Sequence, residues 1–125
     1  MIAVLFEVEP AAGRREDYLG HAADLRPLVD GIEGFISVER FQSLADPDRV
    51  LSLSFFEDER AVQRWRETAQ HRRAQYLGRS GIFRDYRLRI AEVIRDYSMT
   101  DRAQAPADSR SHHVEPPGNN DRWGT

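Results

Sequence analysis

Two hydrophobic periodicities alternate along this sequence, and their order constrains the fold more than any other feature. Four segments alternate apolar residues with the period of two that is typical of strands, namely residues 1–9, 35–43, 50–56 and about 86–94. Two further segments, from Arg14 to Ile32 and from Asp58 to Tyr76, space their apolar residues three or four positions apart, which indicates amphipathic helices. Strands and helices therefore follow each other in the order β-α-β-β-α-β.

Residues that start, join or distort these segments support this division. The short segment 45–49 predicts a hairpin between the second and third strands, and Asp58 is the predicted N-cap of the second helix. Pro27 lies inside the first helix and is expected to kink or split it, because its ring removes the hydrogen bond to the Ala23 carbonyl. The element order predicts an α+β domain of the ferredoxin-like type, with both helices on one face of a four-stranded antiparallel sheet.

Length and composition limit the number of domains and the available chemistry. The 125 residues suffice for one core, predicted at residues 1–98, while residues 99–125 are polar and are expected to form a flexible C-terminal tail. The chain contains no cysteine and no lysine, which excludes disulfides, thiolate metal sites and lysine chemistry. The first strand lacks the preceding positive charge of a signal peptide, and no segment approaches the roughly 20 apolar residues of a membrane span. We therefore expect a cytoplasmic protein with no membrane partner.

Both faces of the predicted sheet carry apolar residues, although two helices cover only one face. The third strand illustrates this, since it has two apolar sets on opposite sides: Val50 with Phe56, and Leu51 with Leu53 and Phe55. A large exposed apolar face is uncommon outside interaction sites, and a second copy packed face to face would close a barrel. We therefore predict a homodimer. The alternative is that Ser52 and Ser54 make the uncovered face polar enough to remain exposed.

Several segments, taken together, resemble the antibiotic biosynthesis monooxygenase family. They are IAVLFEVEP near the start, GFISVERFQSL (34–44), LSLSFF (51–56), WRETAQHRRAQYLGR (65–79) and IFRDYRLRIAEVIRDY (82–97). The resemblance covers about residues 2–98 and implies a dimeric α+β barrel. The family includes cofactor-free oxygenases of polyketide phenols, haem-degrading enzymes and members without an assigned reaction.

The residues of the haem-degrading branch match this sequence only in part. In that branch a strand Asn, a helix Trp and a helix His act together. Here Trp65 stands at the Trp position, Phe6 and Glu7 stand where the Asn is expected, and His71 follows Trp65 after a shorter spacing. The resemblance therefore implies oxygenation without a cofactor more strongly than it implies haem degradation.

His71 is the leading candidate for a catalytic residue. A histidine with an ordinary pKa of roughly 6.5 accepts a proton at neutral pH. Cofactor-free oxygenation needs such a base to deprotonate a phenol or enol, whose anion then passes an electron to dioxygen. An ideal helix places His71 about 120° from Trp65, so the two face one pocket only if the helix bends. The alternative is a histidine that flanks the helix and binds no ligand.

The predicted pocket has a largely aromatic lining. The expected substrate-binding residues are Trp65, Glu7, Phe41, Tyr76 and Tyr86. Trp65 also fits a purely structural position on the apolar stripe of its helix, and Glu7 fits the rim of a barrel. His21 is expected on the surface of the first helix. The adjacent His112 and His113 have no third ligand nearby in the sequence, so no metal site is expected.

The segment from Arg60 to Arg89 carries 9 arginines and 2 acidic residues, which gives it a local charge of +7. Its arginines would either hold an anionic substrate, an acyl-coenzyme phosphate or haem propionates, or pair with the acidic residues of the N-terminal half. We favour the pairing. Nucleic acid is not an expected partner, because the whole chain is acidic.

The leading hypothesis is a cofactor-independent monooxygenase that acts on a small aromatic or enolisable molecule, with His71 as its base. Two alternatives remain open. One is a non-catalytic dimeric module that binds a ligand or serves a stress response. The other is a haem-binding or haem-degrading protein with His71 as the axial ligand.

Overall fold

The computed structural model of this chain describes residues 1–77 and 81–112, and the side chains of residues 1–69 and 81–109. The chain divides into two compact units, Met1–Glu92 and Val93–Thr125, which are described separately. No helix among the described residues is both long and apolar enough to cross a membrane.

The first unit contains four strands and two helices in the predicted order. They are β1 (Ile2–Pro10), α1 (Arg15–Asp30), β2 (Phe35–Gln42), β3 (Val50–Phe56), α2 (Glu59–Leu77) and β4 (Phe83–Glu92). The strands form one antiparallel sheet in the order β2-β3-β1-β4, so β1 lies between β3 and β4. This arrangement confirms the predicted ferredoxin-like α+β fold.

The main differences from the sequence-based prediction concern α1 and β4. α1 is not split at Pro27 and continues to Asp30. Because Pro27 lies in the last turn of α1, only one helical hydrogen bond is lost there. β4 begins at Phe83, three residues earlier than predicted, because the sheet pairing extends across an irregularity after Glu9 to join Pro10 with Phe83.

The start of α2 packs closely against the connection that precedes β2. The Ala61 amide donates a hydrogen bond to Asp58 Oδ1 at 2.9 Å, which confirms Asp58 as the N-cap. Gly34 has a φ of +89°, and a Cβ there would lie 2.7 Å from the Cβ of the fully buried Ala61. Only glycine fits this position without strain or displacement of α2.

The strand register assigns each side chain to a face of the sheet. Paired residues share a face, so Ile2 lies beside Phe56 and Val8 beside Val50. These four residues are buried with residues of both helices in two clusters, which are completed by Val29, Ala61 and Val62 in one and by Tyr18 and Ile82 in the other. This face is called the helix-covered face below.

The opposite face of the sheet is also partly apolar. The register places Leu5 beside Leu53, Ala3 beside Phe55, and Glu7 beside Leu51. Leu5, Leu53 and Phe55 are half-buried within the chain. This surface is called the second face below.

The described part of the second unit has a small structure of its own. The Arg102 guanidinium donates hydrogen bonds to the carbonyls of Ser98 and Ser109 and lies over the Tyr97 ring at 5.3 Å from its centroid. A third helix, α3, runs from Ala107 to His112. The described residues hold no group of three or more metal-ligating side chains. His113 lies outside the described residues, and the flexible tail after residue 98 stays a prediction.

Candidate functional site

A cavity of about 230 Å³ lies between the two helices and the helix-covered face of the sheet. Its floor consists of residues from all four strands: Val4, Phe6, Arg40, Ser52, Ser54, Leu88 and Ile90, with Phe83 at the start of β4. The described residues of its walls are Tyr18, His21, Ala22 and Leu25 from α1, and Val62, Trp65, Arg66 and Ala69 from α2. The lining is therefore mainly apolar and aromatic, as is usual for small-molecule sites.

His21 is the histidine that the described structure places at this cavity. Its side chain is buried, with 8% of its surface exposed. The prediction of a surface position for His21 is therefore wrong. The reason is helical spacing, because His21 lies three residues after Tyr18 and four before Leu25, so all three residues share one face of α1.

Trp65 lies on the wall contributed by α2. Its half-buried side chain packs against the buried cluster that contains Ile2 and Phe56, and it also lines the cavity. The two roles weighed for Trp65, core residue and pocket wall, are thus compatible in one position.

His71 and Tyr76 belong to the same helix as Trp65. Both lie within the backbone range of α2, Glu59–Leu77, but their side chains lie outside the described residues. Their predicted roles, His71 as base and Tyr76 as a substrate-binding residue, stay predictions.

Aromatic rings close one end of the cavity. Phe6 contacts Phe83 and Tyr86, with ring centroids 5.8 and 5.7 Å apart, and Tyr18 contacts Phe83 at 5.8 Å. Tyr86 is 53% exposed and contacts Phe6 but is not among the described lining residues, so its predicted role in substrate binding stays a prediction. These edge-to-face and tilted contacts hold Phe6 and Phe83 in fixed orientations beside the space that a ligand would occupy.

Glu7 and Phe41 lie on the second face of the sheet, away from this cavity. Glu7 is paired in register with Leu51, and so is Phe41, which is 44% exposed. The Arg89 guanidinium donates a hydrogen bond to Glu7 Oε1 at 2.8 Å. Neither residue is part of the cavity lining, and their assignment as substrate-binding residues stays a prediction.

A second carboxylate of β1 is held by two arginines from different parts of the chain. Glu9 accepts hydrogen bonds from Arg49 at 2.7 Å and from Arg84 at 2.6 Å. The hydrogen bonds from Arg49 and then Arg84 lower the pKa of Glu9 below its ordinary value of 4.5. Arg84 and Arg89 thus pair with N-terminal acids, as favoured for the arginine-rich segment.

Several residues of the site were missed from the sequence, and His21 and Arg40 show why. The signal for His21 was its i+3 and i+4 spacing from other apolar positions of α1. The signal for Arg40 was the period of two in β2, which puts Arg40 on the same side as the half-buried Val38. Both signals become informative only when it is known which face of the helix or strand is covered. The sequence pattern alone does not show this.

Comparison with known proteins finds a matching family and a protein of similar sequence. The sequence model of the family described as antibiotic biosynthesis monooxygenase matches residues 1–76. A curated relative from Pyricularia oryzae, named Jasmonate monooxygenase ABM, is 46% identical over 93 residues, which are 74% of this chain and 43% of the relative. The chain thus spans less than half the length of that relative.

Solved structures share the fold at low sequence identity. Rv0793 from Mycobacterium tuberculosis has a TM-score of 0.65 and 13% identity, with 78% of this chain and 98% of that chain covered. A variant of MhuD, solved with two manganese protoporphyrin IX molecules bound per active site, has a TM-score of 0.63 and 18% identity, with 78% and 99% covered. These likenesses show the fold, while the family match and the 46% identical relative show that the chain belongs to the antibiotic biosynthesis monooxygenase family.

Proposed function

We propose that this chain is a monooxygenase that oxidises a compact, largely apolar molecule held in the cavity between α1, α2 and the sheet. The observation that carries the proposal is a mainly apolar and aromatic cavity with one buried histidine in its wall. Membership of the family and the name of the fungal relative support oxygenation as the reaction class. Jasmonate, which that name contains, is the first compound to test.

His21 is the proposed proton acceptor, and His71 is the competing candidate. A base at the cavity removes a proton from an electron-rich phenol or enol, and the anion gives one electron to dioxygen. Recombination at carbon forms a peroxide, and loss of water leaves a carbonyl. The balance is one CH₂ group and O₂ giving one C=O group and H₂O, so this route consumes no external reductant.

The aromatic wall supports the same chemistry by excluding water. Trp65, Phe6 and Tyr18 surround the space beside His21 with ring surfaces. A dry pocket strengthens the electrostatic interaction between the substrate anion and the protonated histidine. It also prevents water from protonating the anion before it meets dioxygen.

Haem binding is the main competing function. Pockets for drug-sized ligands have volumes of roughly 300 to 1,000 Å³, and a porphyrin is larger than such ligands. A cavity of about 230 Å³ therefore favours a compact substrate over haem. Titration of the protein with hemin separates the two functions, because a Soret shift that saturates at one equivalent would support haem.

Oxygen uptake by the purified protein tests the proposal. The compounds are jasmonate and a panel of phenols, quinols and enolisable metabolites, each with and without ascorbate as an external reductant. We expect at least one compound to stimulate uptake. His21→Gln is expected to lower the rate by a factor of roughly 10² to 10⁴, since that is the usual contribution of a general base.

His71→Gln is the matched variant, because it removes a histidine from the second helix of the same unit. If His71→Gln shows the loss and His21→Gln keeps the wild-type rate, the base is His71. Thermal unfolding of both variants checks that they remain folded. Uptake no faster than in buffer for every compound would contradict the proposed function.

A further inference from the structure

The cavity wall carries positive charge and no negative charge among its described residues. Arg40 from β2 and Arg66 from α2 both line it, and none of the lining residues that the structure describes is Asp or Glu. Both arginines are exposed, so they lie where the cavity meets solvent. A site with two guanidinium groups beside an apolar interior suits an anionic ligand with an apolar body.

These two arginines differ from most other arginines in the described structure. Arg49 and Arg84 bind Glu9, Arg89 binds Glu7, and Arg26 binds Asp30. By contrast, Arg40 and Arg66 form no hydrogen bond or ion pair with any side chain or backbone group that the structure describes.

Neighbouring acids are directed elsewhere. The strand alternation puts Glu39 on the opposite face of β2 from Arg40. Glu67 is adjacent to Arg66 in α2, where side chains point in different directions, and it accepts a hydrogen bond from Gln63. The two guanidinium groups are therefore available to a ligand.

The strand register gives the cavity floor a polar end and an apolar end. Arg40 pairs with Ser52, Ser52 with Phe6, and Phe6 with Leu88, which makes one row across all four strands. Strands lie roughly 4.8 Å apart, so this row spans about 14 Å. The positive charge of Arg40 is at the β2 end of this row, and the hydroxyl of Ser52 is next to it. The residues of the row on β1 and β4 are apolar.

We infer that the ligand of this cavity is an amphipathic monocarboxylate that lies across the strands, an inference that rests on the proposed function. Its carboxylate is held by Arg40 and Arg66, and its hydrocarbon body lies over Phe6 towards Leu88. Arginine suits this role because its planar fork matches the two oxygens of a carboxylate. A single negative charge suits a cavity that is otherwise mainly apolar.

Calorimetric titration with matched pairs of acid and methyl ester tests the inference. The pairs are jasmonate with methyl jasmonate, and octanoate with methyl octanoate. The wild-type protein is expected to bind each acid about tenfold more tightly than its ester at low salt. This preference should shrink as sodium chloride is added, because both arginines are exposed to screening.

Variants of the protein test which residues cause the preference for acid over ester. The double variant Arg40→Gln with Arg66→Gln is expected to bind acid and ester alike, because it removes the two positive groups proposed to hold the carboxylate. Arg60→Gln removes one positive charge from an exposed position of α2 outside the lining, so it should keep the preference. Leu88→Ser should weaken the acid and the ester equally, since it changes only the apolar end.

Several results would overturn the inference. They are equal binding of acid and ester by the wild type, loss of the preference in Arg60→Gln, no measurable binding of either pair, or tighter binding of octyl phosphate than of octanoate. Failure of this inference and failure of the proposed function are distinguishable. Oxygen uptake with neutral esters would leave the oxygenase function intact, whereas acid-selective binding without any uptake would contradict only that function.

Discussion

Among single residues, the ion pairs of β1 distinguish arginines that stabilise the fold from arginines that line the cavity. Glu9 joins the sheet to two other parts of the chain through Arg49 and Arg84. These ion pairs hold part of the arginine-rich segment beside the acidic first strand. Arg40 and Arg66 have no such partner among the described residues and line the cavity instead.

The lowered pKa of Glu9 predicts a pH-dependent contribution to stability. A carboxylate whose pKa is lower in the folded chain than in the unfolded chain stabilises the fold above its ordinary pKa of 4.5. That contribution is lost as the pH falls through the lower, folded-state value. Urea unfolding of the wild type and Glu9→Gln should therefore differ most near neutral pH, and the difference should shrink in acid.

A matched variant controls for the general effect of removing an acid. Asp24→Asn removes an exposed carboxylate of α1 that has no ion pair among the described residues and lies outside the second face. Its unfolding should follow that of the wild type across the pH range. A difference between wild type and Glu9→Gln that stays constant from pH 7 to acid would contradict the assignment of Glu9.

For helices and strands, periodicity predicted the fold because side chains alternate across a strand and recur every three or four residues on one face of a helix. The alternation in 50–56 and the capping residue Asp58 gave the bounds of β3 and the start of α2. Pro27 did not divide α1, because a proline in the last turn of a helix disturbs little of it. Local sequence rules therefore sufficed to place the strands and helices along the chain.

The composition of the site was harder to predict than the fold. Glu7 is next to Phe6 in the sequence, but the alternation of a strand puts the two on opposite faces. Phe6 therefore lines the cavity while Glu7 pairs with Arg89 on the second face. Which face of the sheet carries the cavity depends on how distant strands pair and on where the helices pack. Short-range sequence patterns do not encode this information.

At the scale of the whole molecule, the second face of the sheet leads to a proposal of a homodimer. Leu5, Leu53 and Phe55 lie together there, beside the Glu7–Arg89 ion pair. We propose that a second copy packs against this face, since apolar surface of this kind usually marks an interface. The cavity lies on the other face and is formed within one chain.

Light scattering tests the dimer. We expect a mass of twice 14.4 kDa at micromolar concentration. Leu53→Glu places a charge in the middle of the second face and should give a folded monomer. Leu44→Glu makes the same change at a fully exposed position after β2 and should leave the dimer intact. A wild-type monomer, or dissociation by Leu44→Glu alone, would contradict the proposal.

We propose that the protein inserts one oxygen atom from dioxygen into the ligand of this cavity. The most direct measurement is mass spectrometry of the product formed from a stimulating compound under isotopically labelled dioxygen. We predict one heavy oxygen atom in the product of the wild-type protein and markedly less of this product with His21→Gln. A product whose new oxygen comes from water, or hydrogen peroxide as the only oxygen-derived species, would contradict the claim.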